Sequence, residues 1–247
     1  MKDFFDRHEK VGLLFSGGKD SLTCLYKCKP YWDKLVVLWA NTGKNFPEVV
    51  EFIEQVRKMV PHFLEVKSDQ DSFVKTFGYP AEVVTARFTP EGLPYNTRKP
   101  RQQVVNKYQC CAYNLWRPIE EAMVKSGCTG FVKGQRGDDP CNDSWVDKFE
   151  LQGRQCEMFY PCRDLKESDC LEYLKSQGVD LSERFFIGRS SLDCWDCTGY
   201  WEYLPKRLAY MKKHHPEKHE YVVRVLKNIK ADVEDDISLL NLGDLHD

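Results

Sequence analysis

"LLFSGGKDSLTCLYK", residues 13–27, decides how this chain is read. An apolar run breaks at Ser16-Gly17-Gly18-Lys19-Asp20-Ser21 and resumes with Leu22, Leu25 and Tyr26 at helical spacing. That change of period predicts a buried strand over 11–15 feeding a helix over 20–29. The turn between them concentrates the free N–H groups and the positive dipole end of a helix start. Gly17 and Gly18 permit a tight turn and a close approach of backbone to a phosphate. Lys19 adds charge, Ser16 and Ser21 add hydroxyls, and Asp20 serves either as helix cap or as a magnesium holder. The stretch from Gly12 nearly spells a Walker-type phosphate loop. However, its lysine falls one place late and is followed by Asp20 rather than by the Ser or Thr that grips magnesium. A kinase or GTPase loop is thereby excluded.

Working outward, "LVVLWA" (35–40) and "HFLEV" (62–66) read as strands. "FPEVVEFIEQVRKMV" (46–60) between them reads as an amphipathic helix opened by Pro47. Strand, helix, strand, helix, strand implies βαβ crossovers, hence an α/β fold: a doubly wound parallel sheet with a helical C-terminal region. Such sheets bind ligands at the C-terminal ends of their strands, where both "FSGGKDS" and "ANTGKNFPE" lie. Residues 78–101 hold four prolines and a basic cluster and read as an irregular excursion or lid. Residues 102–127 read as largely helical, 130–134 and 157–161 as strands, 135–144 as a loop, and 167–178 as a helix stopped by Gly178. From Pro205 to Lys230 the chain reads as basic helix. Residues 231–247 turn acidic with no Lys or Arg, which suits a mobile or docking tail, or simply a solvated helix face. The expected division is a domain over 1–200 and a helical extension over 201–247.

With 247 residues, 42% hydrophobic, 30% charged and a net charge of −2, the chain has material for a sizeable core and is no general nucleic-acid coat. No run approaches the ~18 apolar residues of a membrane span, and the acidic, aromatic start is not a signal peptide. A cytoplasmic protein without membrane partners is expected. Eleven cysteines, an odd number, argue against a disulfide scaffold and for metal binding by a subset. Cys24 and Cys28 share one helix and read as small core residues. Cys110-Cys111 and Cys194-Trp195-Asp196-Cys197 form two dithiol claws. Adjacent cysteines chelate one tetrahedral ion only with strain but reach two irons of a cubane. That favours a 4Fe–4S cluster over zinc, with Cys₄ zinc and unrelated core thiols as alternatives. Lys107, one turn before Cys111, is either an electrostatic tuner of that centre or a surface lysine.

The loop motif resembles the signature of the PP-loop family, the adenine nucleotide alpha hydrolases. Ser16, Gly17, Gly18, Lys19, Asp20 and Ser21 are the matching residues. Asn41-Thr42-Gly43 followed by Phe46-Pro47-Glu48 is similar to an element of one branch, the phosphoadenylyl-sulfate (PAPS) and adenylyl-sulfate reductases. Asn41 stands where that branch usually has Asp. "VKGQRGDD" (132–139) resembles a further segment, with Gly134 and with Arg136 where the anionic end of the nucleotide is met. The similarity runs, with gaps, from about residue 11 to 198. It implies an enzyme of sulfur metabolism, an oxidoreductase or a transferase, binding ATP or PAPS/adenylyl-sulfate, with magnesium as a further cofactor. It also implies catalytic roles for Lys19, Asp20 and Arg136. The cluster-bearing reductases place a Cys-Cys pair and a later C-x-x-C at similar interval, which assigns Cys110, Cys111, Cys194 and Cys197 as ligands of a 4Fe–4S cluster.

Two departures matter. Reductases of the usual type attack sulfur with a C-terminal cysteine, and no cysteine follows Cys197. Cys141, Cys156, Cys162, Cys170 or a separate thiol- or electron-donor protein would have to supply that thiol. The full "SGGKDS" also suits ATP, whereas the reductases tend to have a degenerate loop. Sulfonucleotide reduction and ATP-dependent sulfur transfer therefore stand side by side, with an idle nucleotide-binding or redox-sensing module as a third reading. Sulfur transfer calls for an acceptor, nucleic acid foremost. Arg87, Arg98, Lys99, Arg101, Lys206, Arg207, Lys212 and Lys213 could then meet its backbone, and Tyr200, Trp201, Tyr203 and Tyr210 its bases. Core packing and solvation are the alternative for each. A homodimer is compatible with all of this.

Overall fold

The computed structural model describes residues 1–139, 145–187 and 194–239; Cys141 and the last eight residues of the acidic tail lie outside them. In chain order the elements are α1 (Lys2–Arg7), β1 (Val11–Leu14), α2 (Lys19–Lys27), β2 (Leu35–Asn41), α3 (Pro47–Met59), β3 (His62–Lys67), α4 (Gln70–Phe77) and β4 (Tyr79–Ala81). There follow β5 (Val104–Asn106), α5 (Lys107–Cys111), α6 (Arg117–Ser126), β6 (Gly130–Lys133), β7 (Lys148–Leu151), β8 (Arg154–Phe159), α7 (Glu167–Ser176), α8 (Leu204–His214) and α9 (Pro216–Ser238). A π-helical turn, Ala112–Trp116, separates α5 from α6. Among the described residues no helix is long and apolar enough to cross a membrane.

The expected division at residue 200 follows family resemblance rather than compactness. By compactness the chain forms one unit from Met1–Ser68 and Leu115–Phe186, and a second from Asp69–Asn114 with the residues from Cys194 onward. The first unit is the doubly wound α/β fold. Its sheet runs in the order β3-β2-β1-β6-β8-β7, parallel throughout except for the antiparallel edge pair β7–β8. Val11, Leu13, Leu35, Val37 and Leu38 are sealed from solvent, as near-continuous apolar strands of a parallel sheet require. Ala122 and Met123 of α6 pack on Val36, Leu38 and Phe131, and α2 packs along α7. Cys24, Cys28, Cys162 and Cys170 are buried in this unit, with the Cys24 and Cys162 Sγ atoms 3.5 Å apart. They are core thiols, and burial pushes the Cys28 thiol up to about 12, far from a nucleophilic thiolate.

In the second unit β4 pairs with β5 in parallel, and Ala81 and Val104 pack with Val225 and Ile229 of α9. Two expectations are corrected here. The stretch 102–127 opens with strand β5, because the β-branched pair Val104-Val105 finds a partner strand that local periodicity does not announce. The acidic stretch from 231 is the last part of α9 as far as Ser238. Its carboxylates grip the basic excursion: Asp232 and Asp235 take Arg101 at 2.9 and 2.7 Å, Asp236 takes Arg87 at 3.2 Å, and Asp235 pairs with Arg98. Asp232 also accepts the Gln102 backbone N–H at 3.0 Å. Three of the cations expected to meet nucleic acid are thus spent within the chain.

Candidate active site

From β1 the chain winds through β2 to β3 on one side, then re-enters the sheet at β6 on the other side of β1. The winding reverses between β1 and β6, and the crevice beyond that point is where open α/β sheets bind ligands. Ser16–Ser21 leaves the end of β1 there, and Gly134 and Arg136 leave the end of β6. The first turn is drawn tight by Gly17, whose φ of 76° is a left-handed value that side chains resist. Its donors are held by its own hydroxyls: Ser16 N–H donates to Ser21 Oγ at 3.3 Å, and Gly18 N–H to Ser16 Oγ at 3.3 Å. A phosphate entering the turn would take those N–H groups, and the serine hydroxyls would become its further donors. Gly134 lets β6 pass close to the start of α2, since a Cβ there would lie 2.7 Å from Ser21 N and 2.8 Å from Asp20 C. At the end of β2, Asn41 accepts the Gly43 N–H at 2.9 Å and donates to Glu65 at 2.7 Å, while Thr42 is buried. Asn41 thus shapes the turn that an Asp would shape in the related branch.

The charges around the loop are closely matched. Lys19, 8% exposed, has its Nζ 3.6 Å from Asp20 and 3.3 Å from Glu167. Arg136, expected to meet the nucleotide's anionic end, is buried and held by three carboxylates: Asp20, Asp138 at 2.8 Å and Asp139 at 3.2 Å. Burial alone would lower the Arg136 guanidinium; the charge and hydrogen bond of Asp20, with Asp138 and Asp139, push it up instead. Burial raises the Asp20 carboxyl, against the pull of Lys19 and Arg136. Arg184 and Glu167 were not legible as site residues. Arg184 donates to the Gly17 carbonyl at 2.9 Å, its guanidinium lying over the rings of Phe52 and Phe185 at 4.2 and 3.9 Å. No motif marks it.

The second unit gathers the cysteines. Cys110 and Cys111 end α5, which Asn106 caps by accepting the Tyr108 N–H at 2.8 Å. Asn114, in the π-helical turn, donates to the Cys110 carbonyl at 3.0 Å and approaches its Sγ at 3.6 Å. Cys194 and Cys197 close a turn through a 3.3 Å backbone bond. Within it the buried Asp196 accepts from buried Gln70 at 2.8 Å, and Thr198 donates to the Pro80 carbonyl at 2.7 Å. Burial first, then the charges of Cys111 and Cys197, push the Cys110 thiol up to about 12, so the second pair lies within electrostatic reach of the first. The Tyr200 hydroxyl lies 3.4 Å from Cys111 Sγ and is pushed up by burial and that contact. Tyr200 and the buried Tyr210 are therefore packing residues, as is Trp201, whose indole donates to the Thr198 carbonyl at 2.9 Å. Arg207 likewise leaves the expected basic stripe. It is 3% exposed and donates to the carbonyls of Cys197 and, at 3.4 Å, Trp195.

Among the described residues no three His, Cys, Asp or Glu side chains are disposed to hold a metal ion as they stand. The chemistry of the donor set nevertheless fits an anionic, thiolate-held group. The candidate donors are sulfur alone, and Arg207, which donates to the Cys197 carbonyl, has a buried Nε–H without a hydrogen-bond partner among the described residues.

Residues 10–200 match the phosphoadenosine phosphosulfate reductase domain family. The match spans more than half the chain, and the chain belongs to that family, whose members include enzymes. No curated protein matches it. Among solved structures it is similar to a phosphoadenylyl-sulfate (PAPS) reductase from Candida auris in a phosphate complex, at 13% identity and a TM-score of 0.48, covering 72% of this chain and 78% of that one. It is also similar to the U34-tRNA thiolase NcsA from Methanococcus maripaludis with its 4Fe-4S cluster, at 15% identity and 0.46, covering 89% and 72%. A third is Candida glabrata FMN adenylyltransferase with FMN and an ATP analogue, at 14% identity and 0.38, covering 67% and 48%. These likenesses are too distant to bear on what this chain acts on.

Proposed function

We propose that this member of the family binds magnesium–ATP at the β1/β6 crevice and uses it to activate an oxygen-bearing acceptor for replacement by sulfur. A 4Fe–4S cluster on Cys110, Cys111, Cys194 and Cys197 is part of the same reading. The observation that carries the choice of nucleotide is the charge around the loop. Asp20, Asp138, Asp139 and Glu167 pair with Lys19 and Arg136, and Arg184 adds one further cation at the Gly17 carbonyl, so carboxylates outnumber cations there among the described residues. Excess carboxylate suits a polyphosphate that arrives with a divalent cation. The bare terminal sulfate of a sulfonucleotide would instead meet a guanidinium already held by three carboxylates.

In the activating step an acceptor oxygen attacks the ATP α-phosphorus, the α–β P–O bond breaks, and pyrophosphate leaves. The loop N–H groups and Lys19 stabilise the departing charge, which is where preorganised donors contribute most. A hydrosulfide donor then displaces AMP, its sulfur bonding to the acceptor as the acceptor–oxygen bond breaks and the oxygen leaves with the phosphate. When bound, the cluster supplies iron–sulfur chemistry for handling that sulfur.

The test is anaerobic. The purified holo-protein is offered magnesium–ATP, PAPS and adenylyl-sulfate in turn, with binding, pyrophosphate and sulfite measured. Magnesium–ATP is expected to bind at least about tenfold more tightly than either sulfonucleotide, ~1.4 kcal/mol, with no sulfite formed. Sulfite released from PAPS or adenylyl-sulfate would replace this reading with sulfonucleotide reduction. Tight binding with no turnover on any acceptor would favour a nucleotide-sensing module.

A further inference from the structure

We infer that Arg207, and not Lys107, is the cation that balances the thiolate-held group on Cys110, Cys111, Cys194 and Cys197. The inference rests on the cluster reading above. A cation placed next to such a centre favours its more reduced, more negative state. Lys107 is the one that sequence position suggests, a helical turn before Cys111. Its ammonium is already matched, bonded to Glu82 at 2.5 Å and lying over the Tyr200 and Tyr108 rings at 4.4 and 4.9 Å. Burial would lower it, and the hydrogen bond and charge of Glu82 outweigh that and hold it above its usual range. Its charge is therefore largely cancelled before it reaches the sulfurs.

Arg207 stands differently. It rises from α8 into the turn of the second cysteine pair, 3% exposed, and its Nη2 donates to the carbonyls of Trp195 and Cys197. Among the described residues no carboxylate comes within ion-pairing distance of it, and its buried Nε–H has no acceptor. Two carbonyls do not neutralise a guanidinium. A buried charge without an ionic partner is strongly destabilising and persists where something else supplies the opposite charge. A cluster with four thiolates is such an anion, formed by the residues whose turn Arg207 already holds. Arginine also suits the place chemically, because one Nη serves both carbonyls and leaves the Nε–H over, while its weakly hydrated charge tolerates burial.

The experiment compares wild type with Arg207→Gln, Arg207→Lys and Lys107→Gln, all as full chains purified anaerobically. Iron and acid-labile sulfide are counted first, and one-electron reduction is then titrated against mediators while the cluster absorbance is followed. Arg207→Gln keeps a donor for the carbonyls but no charge. It is expected to make the reduction equilibrium at least about tenfold less favourable, ~59 mV more negative per tenfold. Arg207→Lys and Lys107→Gln should both stay within about threefold of wild type. Loss of iron from Arg207→Gln with retention in Arg207→Lys supports the same conclusion by another route. The inference is overturned if Arg207→Gln titrates like wild type, if Lys107→Gln shifts as far, if both Arg207 variants lose iron alike, or if the wild-type cluster resists the strongest mediator. A wild type that holds no iron at all defeats the cluster reading itself, a separate result from any of these.

Discussion

Gly134→Ala is the sharpest probe of the crevice, because it adds one methyl group where two backbones nearly touch. The new Cβ would lie 2.7 Å from Ser21 N, 2.8 Å from Asp20 C and 3.0 Å from Asp20 O, whereas ordinary contact begins at 3.4 Å. All three atoms are backbone, so no side chain can swing aside; β6 and the start of α2 must part by about 0.7 Å to restore that contact. Overpacking of this kind typically costs 1–3 kcal/mol. For a chain of this size that lowers Tm by roughly 2–10 °C. The larger effect falls on binding, because the displaced atoms are the loop's own donors, and a misplacement approaching 1 Å costs on the order of 100-fold. Thermal unfolding and calorimetric titration with magnesium–ATP measure the two effects separately. Gly153→Ala is the control: its Cβ meets nothing within 4 Å, yet its φ of 78° makes alanine strained. It should lose about 1–2 kcal/mol of stability and keep its nucleotide affinity. Wild-type affinity in Gly134→Ala would refute the close passage of β6 and with it the placement of the loop.

Lys19→Ala should weaken magnesium–ATP binding by about 10- to 100-fold, the worth of one hydrogen bond to a charged group. It should unfold near the wild-type temperature, since Asp20 keeps Arg136; unchanged affinity in the same titration would remove the lysine from the site. Replacing Cys194 and Cys197 together with serine should abolish bound iron and its absorbance, and a colourless wild type carrying one zinc per chain would contradict the cluster. Asp232→Ala strips an acceptor from the Gln102 N–H and should cost about 1–3 kcal/mol, read as a lower Tm and faster proteolysis within residues 82–101. The same latch sets an acid limit. Hydrogen bonds from Arg101 and Arg98 hold the Asp235 carboxyl below its ordinary value of 3.8. Its contribution is therefore complete above that value and lost as pH falls through the lower, folded-state value. Proteolysis of 82–101 should accelerate below about pH 4 and stay flat from pH 5 to 8; acceleration in that upper window would point to another group.

The strands and helices nearest the loop were legible because each carries its own period. Leu22, Leu25 and Tyr26 announce α2, Pro47 announces α3, and the unbroken apolar runs at β1 and β2 announce strands buried on both faces. What the sequence hid was pairing at a distance. Val104 and Val105 read as part of a helix until β4 lies beside them. The β7–β8 hairpin turns at Gln152 and Gly153, both with positive φ; that two-residue turn is a signal which was present and went unread. Charges were the least legible. Arg87, Arg98 and Arg101 look like a basic patch in one dimension and are ion-paired to α9 in three. Arg136 was placed by resemblance at the nucleotide's anionic end, and the fold surrounds it with carboxylates. Arg207 sits in a run of lysines that says surface, while its neighbours say core. Periodicity reports which face a residue lies on, whereas the ion pairs of Arg87, Arg98 and Arg101 depend on a helix more than a hundred residues away.

The second unit is built from two stretches that a ribosome makes far apart. Cys110 and Cys111, with Gln70, Pro80 and Arg101, emerge early; their companions Cys194, Cys197, Asp196, Thr198 and Asp232 come only after the whole first sheet has been made. At ordinary elongation rates the first thiol pair waits roughly ten seconds for the second. During that interval strand β5 has its partner β4 but lacks the helix that covers both. A group that needed all four thiols could form only once Cys197 had emerged, and a chain halted before α9 would leave Ala81 and Val104 uncovered and Arg87, Arg98 and Arg101 unclasped.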